Sequence, residues 1–332
     1  MKFLLKYLLV FLSILLNGAR APFVPKTSIV EITQGKLKGN VLTSRGGRNY
    51  AAYLKIPYAQ AGRFQAPIAP PAWTGVYQAT TPGDECATTD PFTNQNRGTE
   101  DCLNLNVFTP RVTLLEKMAS SSVDFLKRVS LNPLNLFQQI NNAVTNFDKG
   151  LPVIVILNGG AFSLVETENM YEKLWMDREV VLVYPQFRLG PFGFLSTGNE
   201  IIPGNNGLKD QQMALLWIRD NIRKFGGNPN NVILMGQGAG GASANFHMIS
   251  PKSTGLFHGA ILQSGCALNP WAISQRPVKM AFKFGKIVGC KNKDTGSLFA
   301  CLLRKTTNEI LDGIKKLRTK LGKGFPVSPF GP

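Results

Sequence analysis

Histidine is scarce in this sequence, since only His247 and His258 occur among 332 residues. Zinc sites in proteins are built from several histidine, cysteine or carboxylate side chains held close together. With two histidines and no ligand cluster, the sequence predicts neither a metal site nor a cofactor. The same scarcity restricts acid–base chemistry, because an enzyme that uses imidazole as its general base has only these two candidates.

Apolar runs of membrane-spanning length are also absent. The N-terminus combines the basic residues Lys2 and Lys6 with an apolar run over residues 7–16, followed by small residues. That run is shorter than the ~20 residues needed to cross a bilayer. The arrangement is typical of a secretory signal peptide, here residues 1–21 with cleavage near 17–21. We therefore expect a secreted, extracellular protein without a transmembrane segment.

Cysteine occurs five times, an odd number, so at least one thiol is unpaired or pairs between chains. Cys86 and Cys102 are close in sequence, and so are Cys290 and Cys301. A bridge within either pair would close a loop of roughly 10–20 residues, which contributes about 3 kcal/mol in the chain-entropy treatment. An extracellular location allows such disulfides to persist.

Acidic residues are few, 20 against 37 basic ones, and the net charge is +17. Residues 271–332 concentrate the excess, with 13 Lys or Arg and 3 Asp or Glu. A positive field attracts polyanions and acidic surfaces. No aromatic-interleaved nucleic-acid motif accompanies the charge, so nucleic acid is not expected as a partner. Two alternatives stay open: a surface that binds a polyanion or an extracellular protein, and a solvated helix face with its acidic partners elsewhere.

The hydrophobic pattern predicts an α/β fold. Residues 152–157 and 180–184 are uninterrupted apolar runs, which suit strands buried on both faces of a parallel sheet. Residues 210–224 form an amphipathic helical pattern, and 231–235 and 258–263 are further strands. This alternation predicts a doubly wound, mostly parallel central sheet with helices on both faces.

Residues 28–332 are interpreted as one domain that carries an insert at about 111–150. Short β-like runs separated by turns precede the insert. Within it, apolar residues recur at helical spacing, and Asn132 and Pro133 provide a helix start. We expect the insert to be a loop plus an amphipathic helix that packs on the domain surface or contacts a partner.

The most informative segment is NVILMGQGAGGASA, residues 231–244. A strand, a glycine-flanked turn and a helix of small residues follow one another, as in the nucleophile elbow G-x-S-x-G. Gly236 and Gly240 allow strand and helix to approach closely. The central position, where serine sits at a strained positive φ, is Gly238, which cannot form an acyl-enzyme. Glycine adopts positive φ freely, so losing the serine relieves roughly 1–3 kcal/mol of strain.

The same glycines also match G-x-G-x-x-G, the dinucleotide-binding loop. That loop normally opens the first βα unit and is followed by an acid about 20 residues later. Here the motif comes late, and residues 255–263 contain no acid. The elbow interpretation is therefore favoured over the dinucleotide one.

Several motifs in order make the sequence similar to type-B carboxylesterases and cholinesterases, a family of α/β hydrolases. The motifs are EDCLNLNV (100–107), RLGPFGFL (188–195), GNNGLKDQ (204–211), FGGNP (225–229) and QSG (263–265). The resemblance runs from about residue 28 to the end, and it implies the α/β-hydrolase fold. It supports both disulfides and leaves Cys266 as the odd thiol.

The family's chemistry combines a serine, a histidine oriented by an acid, and backbone N–H groups that stabilise an oxyanion. Gly238 departs from the first part. The acidic residues after it are Asp294, Glu309 and Asp312. None of these has the context of the family's acid. His247 is expected on the helix after the elbow, and His258 at the amino-terminal edge of a strand, whereas active groups lie beyond the carboxyl ends. Both histidines are interpreted as structural.

The oxyanion segment is partly preserved, because residues 158–162 (NGGAF) resemble the family's H-G-G-[GA]-F. Asn158 replaces the histidine, while Gly159 and Gly160 retain their N–H groups. The third donor of the family is the amide after the nucleophile, here Ala239. Without a nucleophile this remnant supports residual catalysis at most.

The leading hypothesis is a secreted, non-catalytic relative of the family, similar to its cholinesterase-like adhesion members. The alternative is a truncated form of a carboxylic-ester hydrolase, since residues 325–332 resemble a mid-domain block after which family members continue. Missing parts would then include the last sheet strands. Ser243 and Ser264 are the alternative nucleophiles in that case. Ser243 is expected on a buried helix, and Ser264 matches a structural position of the family.

Overall fold

A computed structural model describes residues 29–90, 93–111, 150–164, 171–291, 293–321 and 329–332. The expected signal peptide and nearly all of the insert at 111–150 lie outside the described residues, so both stay predictions. Across the described ranges, no helix combines the length and the apolar character needed to cross a membrane.

The described strands are β1 (Val30–Ile32), β2 (Gly35–Lys38), β3 (Asn40–Thr43), β4 (Asn49–Pro57), β5 (Val76–Gln78), β6 (Thr88–Thr89), β7 (Asn96–Arg97), β8 (Asn104–Thr109), β9 (Leu151–Leu157), β10 (Val181–Pro185), β11 (Gly227–Gln237) and β12 (Gly259–Gln263). The described helices are α1 (Glu172–Trp175), α2 (Gly190–Phe194), α3 (Asn206–Asn221), α4 (Ala239–Ile249), α5 (Pro277–Ile287), α6 (Thr295–Leu303) and α7 (Thr307–Leu321). Short 3₁₀ turns occupy Gly160–Phe162, Ile222–Phe225 and Pro251–Ser253.

Seven strands form the central sheet in the order β12-β11-β9-β10-β8-β4-β3. The four strands from β12 to β10 run parallel. The pairings of β10 with β8, β8 with β4 and β4 with β3 are antiparallel. The α/β class is confirmed, and the four predicted strands form its parallel half. The described sheet is mixed rather than mostly parallel, because the early strands join it without helical crossovers.

The helix α3 covers one face of the parallel half, and the short α1 lies against the other. Successive strand residues point to opposite faces, and β9 shows the consequence. Val153 packs in one apolar cluster with Leu215 and Ile218 of α3. Its neighbour Ile154 packs in a second cluster with Met176, which directly follows α1. The uninterrupted apolar runs are therefore buried from two sides, as predicted.

The amphipathic helix predicted at 210–224 is present with shifted ends. It begins four residues earlier because Asn205 adopts a left-handed conformation with φ of 55° just before it. It ends in a 3₁₀ turn, and Gly226 then takes φ of 84°. A left-handed glycine is a common helix terminator, since it lacks the Cβ that would clash.

Both predicted disulfides form, Cys86–Cys102 and Cys290–Cys301. Cys266 is the free thiol and is half-buried. The second bridge ties α6 to the end of α5 in the basic C-terminal segment. Phe284 of α5 and Leu298 of α6 share a third apolar cluster with Ala239 of α4. The C-terminal helices therefore pack against the region of the glycine turn.

Candidate functional site

The glycine turn has the geometry of a sharp strand-to-helix elbow. Gly238 links the end of β11 to the start of α4, with φ of 54° and ψ of −116°. Its N–H donates to the Gln263 carbonyl at 2.8 Å, and its carbonyl accepts from the Ala242 N–H at 3.0 Å. A Cβ built on Gly238 meets nothing within 4 Å. The central position therefore has room for a side chain, but its backbone conformation favours glycine.

Close backbone contacts hold the elbow in place. A Cβ on Gly240 would lie 2.1 Å from the Leu157 carbonyl oxygen, and one on Gly236 would lie 2.2 Å from the Gly240 carbonyl carbon. Both distances are far below van der Waals contact, so neither position accepts a side chain without a backbone shift. The elbow motif is thus packed directly against the end of β9, where the NGGAF segment begins.

The NGGAF segment forms a strained turn beside the elbow. Gly160, Ala161 and Phe162 have φ values of 74°, 51° and 56°. Two of these three are not glycine, and each such residue carries roughly 1–3 kcal/mol of strain. Phe162 anchors the turn, because its ring is buried and packs edge-on against Phe194 at 5.1 Å between centroids.

The amides predicted as an oxyanion remnant all lie at helix starts. Gly159 caps the 3₁₀ turn and Gly160 begins it, while Ala239 is the first residue of α4. The first N–H groups of a helical turn have no intrahelical acceptor. Ala239 also lies at the positive end of the dipole of α4, which favours an anion or a polarised carbonyl oxygen. The oxyanion role of these amides stays a prediction, and Gly238 has no side chain that could generate the negative charge.

A small cavity of about 150 Å³ opens beside Asn158 and Gly159. Tyr184, at the carboxyl end of β10, also lines it. Burial raises the pKa of the Tyr184 hydroxyl, and the charge of Glu172 adds to the rise. Sequence reasoning missed this tyrosine. Its position at the end of a predicted parallel strand was the available signal, because side chains there face the ligand side of such sheets.

His247 lies in the last turn of α4, in a buried polar network. Its Nδ1 is 2.8 Å from the Ser253 hydroxyl, and its Nε2 is 3.0 Å from the Gln211 side-chain oxygen. The Gln211 amide nitrogen donates to the Ser243 hydroxyl at 3.2 Å. Ser243 is itself fully buried. The structure thus joins one candidate base and one candidate nucleophile in a network that braces α3 against α4.

Acidification is expected to destabilise the fold through His247. Burial lowers the pKa of His247 from 6.5 to about 4. The unfolded chain therefore binds a proton that the folded chain excludes, so the contribution is complete above pH ~6.5 and lost progressively towards pH ~4. The full change amounts to roughly 3 kcal/mol. Urea unfolding of wild type and His247→Gln between pH 7 and 4 measures it. Parallel pH curves for the two proteins would contradict the assignment.

His258 and Ser264 lie at opposite ends of β12. The Nδ1 of His258 accepts the Val232 N–H at 3.2 Å, just before the strand begins. Ser264 follows the strand with φ of 53°. Sequence reasoning placed the histidine at the amino-terminal edge of the strand, which agrees with this position.

The three late acids each have local partners. Asp294 caps α6 through the Ser297 N–H at 2.8 Å, and Glu309 accepts the Thr306 N–H at 2.7 Å. Asp312 accepts from the Lys315 ammonium at 2.9 Å. All three contacts are short-range in sequence, so these carboxylates stabilise the ends and faces of α6 and α7.

Sequence reasoning also missed a buried ion pair formed by two of the quoted motifs. Arg188, after β10, forms a bidentate contact with Asp210 of α3, with distances of 2.6 and 2.8 Å. Its remaining guanidinium nitrogen donates to the Gln65 carbonyl at 2.7 Å.

Among the described residues, no group of three His, Cys, Asp or Glu side chains could hold a metal ion.

Comparison with known proteins gives consistent matches. Residues 26–332 match the carboxylesterase family. The chain is 36% identical to venom carboxylesterase-6 of Apis mellifera over 99% of its own length and 54% of the relative. It is 36% identical to esterase P of Drosophila melanogaster and 34% identical to esterase FE4 of Myzus persicae, in each case over 92% of this chain and 50% of the relative. The chain therefore spans about half the length of these curated relatives.

Proposed function

The chain belongs to the carboxylesterase family and has its α/β-hydrolase fold, and from this premise we propose that it lacks the family's serine chemistry and serves in binding. The observation that carries the proposal is Gly238. Ester hydrolysis through an acyl-enzyme needs an oxygen nucleophile at the centre of the elbow. Glycine supplies none, and the residue lies well inside the matched region, so further chain at either end would not change it.

The rest of the elbow supports a binding role. The close packing of Gly236 and Gly240 and the strained NGGAF turn preserve the shape of the site. The amide of Ala239, at the start of α4, still favours an oxygen with negative charge. We infer that such an amide, without a nucleophile beside it, serves to hold a carbonyl or carboxylate group rather than to cleave an ester.

The alternative nucleophiles lack the required setting. Ser243 is fully buried and accepts a hydrogen bond from Gln211. Its hydroxyl therefore faces the helix interface between α3 and α4. Ser264 occupies a left-handed turn after β12. A reactive serine needs a general base within hydrogen-bonding reach. His247 instead bonds Ser253 and Gln211.

Incubation with a fluorophosphonate probe tests the proposal directly. We expect the purified protein to stay unlabelled under conditions that label an active serine esterase completely. Ser243→Ala and Ser264→Ala variants are the matched controls and should behave as wild type does. Labelling of the wild type would overturn the proposal, and its loss in one variant would identify the nucleophile and favour the hydrolase alternative.

Secretion and an extracellular partner belong to the same proposal. Two disulfides suit an oxidising compartment, and one similar protein is named a venom carboxylesterase. The described part of the basic segment at 271–332 contains α5, α6 and α7, and its excess of cations supports a polyanion or an acidic protein as the partner. We expect retention on a heparin column well beyond physiological ionic strength, ~0.15 M. Elution at that salt concentration would exclude the polyanion as partner.

A further inference from the structure

A larger cavity lies between the strained NGGAF turn and α5. Its volume is about 440 Å³, which falls in the range of small-molecule sites. Its apolar lining includes Phe162, Trp271, Met280 and Phe330. Phe330 is buried and packs edge-on against Phe284 of α5 at 5.2 Å between centroids. The apolar wall therefore belongs to the third apolar cluster, whose packing gives it a defined shape.

Three cations line the same cavity, namely Arg276, Lys279 and Lys283. The lysines are four residues apart on α5, so they share one helix face. No acidic residue is part of the described lining. Within the described portion of the chain, none of the three cations forms an ion pair with a carboxylate. A concentrated positive charge thus borders an apolar hollow.

We infer that this cavity binds a single-chain anionic amphiphile, with its headgroup on the three cations and its alkyl chain against the aromatic wall. The apolar lining favours an alkyl chain, because burying that surface removes it from water. The cations lower the energy of a carboxylate or a phosphate monoester and repel a cationic headgroup. The cavity also lies at the amino-terminal end of α5, where the helix dipole favours an anion.

This inference rests on the proposed binding role and names its ligand class. The two claims fail separately. Fluorophosphonate labelling of the protein would overturn the proposed loss of serine chemistry, whereas measured amphiphile affinity would stand on its own. Absence of amphiphile binding in an unlabelled protein would overturn only the ligand assignment.

Calorimetric titration with defined amphiphiles below their micellar concentrations tests the inference. The probes are dodecanoate, dodecyl phosphate and dodecyltrimethylammonium, added to the full chain. We expect at least one anionic probe to bind at least tenfold more tightly than the cation of equal chain length, and the tighter of the two anions identifies the preferred headgroup. Octanoate should bind more weakly than dodecanoate, since it covers less of the apolar wall. Equal affinity for the anionic and cationic probes would overturn the inference.

A matched pair of triple variants separates site binding from general attraction to a basic protein. Arg276→Gln with Lys279→Gln and Lys283→Gln removes the cations of the cavity and should weaken anion binding at least tenfold. Lys286→Gln with Lys291→Gln and Lys293→Gln removes the same charge from exposed positions outside the lining. This control should change affinity less than twofold. Equal losses in both variants would overturn the site, and thermal melts of both confirm that the fold is retained.

Discussion

Replacement of Asp210 by asparagine is expected to lower the free energy of unfolding by about 3–5 kcal/mol. The Asp210 side chain is fully buried, and the side chain of its partner Arg188 is 5% exposed. Removing the carboxylate leaves a guanidinium without a counter-charge where water does not reach. Isolated buried charge is among the few single-residue changes that remove most of a domain's stability.

The size of the effect follows from the number of contacts that Arg188 makes. Its guanidinium binds both oxygens of Asp210, and its backbone N–H donates to one of them at 3.1 Å. Another guanidinium nitrogen holds the carbonyl of Gln65. Burial raises the pKa of the Asp210 carboxyl, and Arg188 opposes that rise. The pair therefore connects the loop before β5, the end of β10 and α3.

The same helix provides the control. Asp220 of α3 pairs with Arg219 at 2.7 Å, but both side chains are about half exposed. An exposed pair of this kind contributes less than about 1 kcal/mol. Urea unfolding of Asp210→Asn and Asp220→Asn compares the losses in the free energy of unfolding, provided that both variants keep the m-value of the wild type. Equal losses of stability would show that burial of the Arg188 pair is not what makes it important.

The parallel half of the sheet was predictable because the sequence of each strand, taken alone, carries a clear hydrophobic signal. Residues 152–157 and 180–184 are short and apolar at every position, as expected for strands covered on both faces. The antiparallel half was not located in detail. Among its strands, β3 covers only four residues and none of them is fully buried, so its hydrophobic pattern is weak. The helix α3 was found, but its start at the left-handed Asn205 was not.

In the candidate site, too, some features could be predicted from contiguous sequence and others could not. The elbow was predictable because a strand, spaced glycines and a small-residue helix are contiguous, and Gly238 lies where the pattern puts it. The pair of Arg188 and Asp210 was not found, although both residues lie in recognised motifs, because sequence spacing does not reveal which motifs meet in space. The larger cavity was missed for the same reason, since its wall joins residues near 162, 271–283 and 330.

Replacement of Gly240 by alanine is expected to cause the second large loss of stability. Helix propensity alone would predict the opposite, a gain in stability. Gly240 is the second residue of α4. Alanine is favoured over glycine inside a helix by about 1 kcal/mol. The added methyl would lie 2.1 Å from the Leu157 carbonyl oxygen and 3.0 Å from that of Asn158. Both are backbone atoms, so β9 and α4 must separate. We expect destabilisation of about 3 kcal/mol or more, at the upper end of overpacking effects.

Two further alanine variants isolate the clash. In Gly296→Ala, the methyl meets only the tip of the Asp294 side chain at 3.3 Å, so stability should change by less than about 1 kcal/mol. In Gly238→Ala, the methyl has free space but a φ of 54°, and the expected loss is roughly 1–3 kcal/mol from backbone strain alone. Thermal and urea unfolding rank the three. The clash explanation requires Gly240→Ala to be the least stable of them. If Gly238→Ala loses more, the strained turn, and not the contact of α4 with β9, dominates the stability of the elbow.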